Sequence, residues 1–145
     1  MSIQFLSEFM RFATSVTRAD RGMVIDMNRD VVDKVNMDNA SLQNKQFGEL
    51  LGVALDEAEE TGNLVTANNL IHPDDAPETN THLGQLRLIF VMPFPSMGFV
   101  YIDQHVRNGI IKQDLAERII ALGRGCVEEN KLELTADELA DLFAD

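Results

Sequence analysis

This chain has almost no thiol and too little positive charge. Its only cysteine, Cys126, excludes an internal disulfide and points to a reducing compartment. Lys and Arg together number 12 against 24 acids, for a net charge of -12. A nucleic-acid binder needs a basic face to displace counterions from phosphates, and an anionic membrane surface asks for the same, so neither partner is expected. No apolar run approaches the ~20 residues that span a bilayer. The opening stretch MSIQFLSEFMRF carries an acid and no basic n-region, so no secretion signal is read there. A cytoplasmic location is expected.

What is present suits one globular domain. A chain of 145 residues buries a core without staples, and the apolar fraction of 45% is ordinary. The negative excess is uneven. Residues 128–145 hold seven acids and one Lys, half of the total net charge.

Phe5, Phe9, Phe12 and Val16 recur at helical spacing, with Leu6, Met10 and Ala13 on an adjacent stripe. Arg21-Gly22 breaks that helix, and Gly22 is expected to supply a sharp turn, with Asp20 and Arg21 sitting at it. Met23–Met27 and Val31–Met37 read as strands joined across Asn28-Arg29-Asp30. Asp38 to Ser41 offers caps for a helix over Leu42–Glu60 that Gly62 stops, and Leu64–Thr66 follows as a short strand. Ala67–Gly84 is polar and reads as a long irregular loop. LRLIFVMPF and MGFVYID are strands apolar on both faces, which therefore need cover on both faces. A long helix over Lys112–Asn130 and a short acidic helix in TADELADLF, opened by the capping box Thr135 and Glu138, complete the chain. The fold class is α+β, an antiparallel five-stranded sheet; two connections are too short for a crossover.

This order, with TRADRGMVIDMN at the entry into the first strand, LDEAEETGNLVTANNL before the loop and VMPFPSMGFVYIDQ across the central hairpin, resembles the GAF domain family. The resemblance spans about Ser7 to Asn130 and implies a GAF/PAS-like (profilin-like) architecture. The N- and C-terminal helices then share one face of the sheet, and a helix plus the long loop cover the other. It divides the chain into a GAF-like domain over 1–130 and an acidic C-terminal helix or tail over 131–145. A roadblock-like scaffold has much the same element order and is the alternative. GIIKQDL lacks the hydroxyl cap usual in the family at the start of the last long helix.

The resemblance also implies a small-ligand pocket in a non-enzymatic sensory or regulatory domain of cytoplasmic signalling. Asn44-Lys45 and Phe47 echo the cyclic-nucleotide-binding members, but Leu51-Gly52 stands where those carry Asp-Glu. Bilin attachment needs a Cys beside the pocket, whereas Cys126 falls on an apolar helix stripe. The branch that reduces free methionine sulfoxide needs a second Cys to resolve its product. Gly123 to Cys126, GRGC, follows no strand and is no phosphate loop. The loop concentrates His72, Asp74, Asp75, Glu78 and His82, with Arg87 beside it. These imidazole, carboxylate and guanidinium groups suit a polar ligand, with His72, Asp74, Asp75, His82 and Arg87 as candidates; their spacing fits no metal-ligand pattern, and no cofactor is named.

The first and last long helices each carry two apolar stripes, where a helix lying on a sheet needs one. The surplus predicts a homodimer through Phe5, Phe9, Phe12, Leu115, Ile119 and Leu122, with Gly123 or Gly125 allowing close helix contact. No output domain is read in these residues, so either a protein signalling partner is expected or the chain is a piece of something longer. The ligand-free alternative has Phe90, Met92, Phe99 and Tyr101 filling the cavity, leaving a protein-interaction or dimerisation module.

Overall fold

A computed structural model describes residues 2–37, 39–70, 86–105 and 111–128. In chain order the elements are α1 (Ser2–Thr17), β1 (Arg21–Ile25), β2 (Val31–Val35), α2 (Asn39–Gln43), α3 (Lys45–Thr61), β3 (Val65–Leu70), β4 (Leu86–Phe94), β5 (Gly98–His105) and α4 (Gln113–Glu128). The five strands form one sheet in the order β2-β1-β5-β4-β3, and every neighbouring pair is antiparallel. The α+β class read from the sequence is the observed one.

Strand alternation sorts the core into two layers. Val24 of β1, Phe90, Met92 and Phe94 of β4, and Val100 and Ile102 of β5 face α1 and α4. Met23, Ile25, Ile89, Val91, Phe99 and Tyr101 face α3. Phe99 and Tyr101 therefore point where the ligand-free reading puts them, but Phe90 and Met92 point the opposite way. Their parity in β4 sends them to the terminal helices.

The same layering accounts for the double stripes. α1 and α4 lie on one face of the sheet, and each has a helix as well as the sheet to cover. Phe5 and Phe9 of α1 pack on Phe94, with ring centroids 6.2 and 5.0 Å away. Ile119 of α4 is fully buried in that same cluster. So Phe5, Phe9 and Ile119 are spent within one chain and are not a free dimer surface. Phe12, Leu115 and Leu122 are half-buried against the same core. Gly123 serves this internal contact: a Cβ there would stand 2.5 Å from Phe9 Cε2 and 2.9 Å from Phe94 Cζ.

Other expectations shift in detail. Gly22 lies within β1 rather than at a turn, and it provides room: a Cβ would meet Thr14 Oγ1 at 2.5 Å. The turn is made instead by Arg18, with φ of 59°. Asn44, not the Asp38–Ser41 stretch, caps α3, its Oδ1 accepting from the Phe47 amide at 2.9 Å. Asn44 and Phe47 are thus a helix cap and a core residue. Residues Ala67–Leu70 extend β3, because each registers against β4, from Ala67 opposite Ile89 to Leu70 opposite Leu86. The rest of the expected loop, the 106–110 connection and TADELADLF lie outside the described residues.

Two devices close the ends of α3. Gly62 takes the left-handed conformation (φ 70°) and returns its amide to Ala58 O at 2.8 Å. Arg124 of α4 then donates to Gly62 O and to Pro93 O, so one side chain joins the helix layers on opposite faces. Arg29, in the β1–β2 turn, meets Asp56 at 3.0 Å and Glu59 at 3.2 Å, setting a cation beside an acidic helix end.

Gly123→Ala forces Phe9 and Phe94 to move and is expected to cost about 1–3 kcal/mol in urea denaturation. Gly125, where an added methyl would meet nothing within 4 Å, should give the opposite sign on replacement by Ala, a gain of about 0.5–1 kcal/mol from helix propensity.

Candidate functional site

Inside the sheet, on the face covered by α3, sits a charged centre that periodicity alone does not reveal. Arg21 opens β1 and Asp103 lies directly opposite it on β5. The register puts guanidinium and carboxylate side by side. Arg21 Nε donates to Asp103 Oδ1 at 3.0 Å and Oδ2 at 3.1 Å, and Nη2 donates to Oδ2 at 2.6 Å. Tyr101, two residues back on the same face, donates its hydroxyl to Asp103 Oδ2 at 2.5 Å. The carboxylate is wholly buried and Arg21 nearly so.

Phe47 at the start of α3 closes the centre from above. Its ring stands edge-on to Tyr101 at 5.8 Å, and the Arg21 guanidinium lies 5.9 Å from its centroid. Such a cation over an aromatic face adds to the electrostatic stabilisation. Asp20 continues the frame outward, its amide donating to Asp103 O and its Oδ2 accepting from the His105 amide at 2.7 Å. Asp20 and Arg21 are therefore committed to β5, not left at a turn.

A carboxylate held by a guanidinium and a phenol, roofed by Phe47, has no side turned to solvent. In this arrangement it joins β1, β5 and α3 and does not present itself to a substrate. The sequence holds one signal for it: an Asp inside a strand apolar on both faces needs a buried cation, because an unpaired charge there costs several kcal/mol.

On the other face, Gln104 donates from Nε2 to Arg18 O at 3.0 Å, tying β5 to the end of α1. Its Oε1 is buried without a partner among the described residues.

Of the ligand candidates, His72, Asp74, Asp75 and His82 lie outside the described residues. Arg87 falls in β4, at the position opposite Asn69 of β3 and His105 of β5, two residues along from the Ile89–Asp103 pair. Among the described residues no group of three or more His, Cys, Asp or Glu is placed to hold a metal ion, and no helix is long and apolar enough to cross a membrane. Cys126 is buried in the layer between α4 and the sheet.

Removing either member of the buried pair leaves the other charge stranded. Asp103→Ala is expected to cost about 3–5 kcal/mol in equilibrium denaturation. Replacing Arg21 by Met and Asp103 by Leu together should recover most of that loss, because both charges leave. A double variant as unstable as the single one would contradict the pairing.

No family model matches the chain, and no curated protein matches it. Among solved structures, Myxococcus xanthus MglB superposes with a TM-score of 0.48 at 13% identity, covering 92% of this chain and 94% of that one. A likeness of that degree assigns no family.

Proposed function

We propose that this chain is a protein-interaction or dimerisation module of the roadblock-like kind, working without a small-molecule ligand between α3 and its sheet. One observation carries the reading. The layer that a GAF-type sensor reserves for its ligand is occupied here by the chain's own side chains. Met23, Ile25, Phe47, Leu55, Phe99 and Tyr101 are all at most 4% exposed there.

The outward face of α3 supports the same reading. Val53 is 68% exposed on it, and methyls built on Gly48 and Gly52 would meet nothing within 4 Å. Two glycines in one helix cost about 1 kcal/mol each relative to Ala, and no contact within the described chain offsets that. Close approach of another helix does so, and a second copy meeting α3 is the assembly we put forward. The homodimer expected from α1 and α4 is thereby moved to a surface that those helices do not spend on their own core.

Native mass spectrometry of the purified protein should show a dimer with no co-purified small molecule. Thermal shift across nucleotides, amino acids and divalent metals should stay flat. Gly52→Leu blocks close approach and should give a monomer by sedimentation at tens of micromolar. A tightly bound metabolite, or a chain that is monomeric before mutation, overturns this reading.

A further inference from the structure

Strand β2 ends the sheet, and with Met27 just before it holds three of the four exposed large apolar side chains among the described residues. Val31 is 39% and Val32 42% exposed, and Met27, just before the strand, is 43% exposed. The strand also carries an extra residue: Val24 of β1 faces Asp33 while the next residue, Ile25, faces Val31. A bulge of this kind bends an edge strand and turns its side chains. Val31, Val32, Asp33, Lys34 and Leu42 of α2 line a depression of about 370 Å³ along it.

Charge indicates what fits there. Both carboxylate oxygens of Asp33 are taken by Arg11 Nη2, each at 3.0 Å. The Lys34 ammonium meets only the neutral Asn39 Oδ1, at 3.2 Å, among the described residues. The groove therefore offers one uncompensated positive charge on a chain whose net charge is -12. With screening over about 8 Å at physiological salt, a short docked segment responds to that local charge more than to the distant excess. A second copy is disfavoured in two registers, because a two-fold antiparallel pairing centred on Asp33 or on Lys34 sets like charges opposite each other.

We propose that β2 and α2 form a docking groove for an extended segment of a protein partner. That segment lays an apolar branched side chain against Val31 and Val32, sets a carboxylate on Lys34 and pairs with the edge of β2 that no described strand pairs. The inference rests on the interaction-module reading and names one surface for it.

The test uses the full chain, amide NMR and two short capped peptides, one alternating valine with glutamate and one alternating valine with lysine. The glutamate peptide should shift the amides of residues 31–35 and 42, and the lysine peptide should bind more weakly. Lys34→Glu, whose side chain makes a single surface contact, should reverse the preference, weakening the glutamate peptide about fivefold to tenfold. An unchanged melting curve shows that the variant stays folded.

Equal response to both peptides, no response of β2 at millimolar peptide, or no reversal in Lys34→Glu overturns the proposal. Shifts confined to α3 also overturn it while leaving the interaction-module reading intact. Movement of β2 amides on raising protein concentration alone would assign the groove to a second copy instead.

Discussion

Strands β4 and β5 are apolar on both faces, and the rest of the molecule is arranged to keep water from both. One face takes α1 and α4 and the other takes α3. Burial on this scale is the main favourable term in folding, at roughly 25 cal/mol per Å² of apolar surface. Once Tyr101 and Phe99 are roofed by Phe47 and Leu55, the space under α3 is part of the core.

The buried Arg21–Asp103 pair sets charge into this apolar scheme. Its worth lies less in net stability than in register. The pair forms only when Arg21 stands opposite Asp103, and a slip of one residue would send Asp103 to the face of α1 and α4. Tyr101 and Phe47 complete the same assembly from the strand and the helix, so the alignment of β1 with β5 and the seating of α3 are decided together.

Much of the fold is readable in the sequence because it rests on periodicity. The two-sided strands, the Asn28-Arg29-Asp30 turn and the Gly62 stop are local signals, and all three stand in the structure. What misleads is counting apolar stripes without knowing the neighbours. Phe5 and Phe9 look surplus because a helix on a bare sheet needs one stripe, but α4 lies on the same face. Gly22 and Gly123 read as flexibility or outside contact, while their neighbours Thr14, Phe9 and Phe94 come from other elements of the chain. The charged centre is hidden for the same reason: Arg21 and Asp103 are 82 residues apart and meet only through strand order. Of the candidate ligand residues, only Arg87 has a place in the described sheet.

That separation bears on how the molecule is made. The only sheet neighbour of β1 that precedes it or closely follows it is β2; its other neighbour, β5, emerges from the ribosome far later. Until then α1 has only β1 and β2 to lie on, with Met10 against Gly22, and Phe5 and Phe9 lack Phe94, which itself has no α4 beside it until still more chain has appeared. A nascent chain stopped before residue 113 lacks α4, so the face of β4 and β5 that carries Phe94 and Ile102 keeps only part of its cover until that helix has appeared.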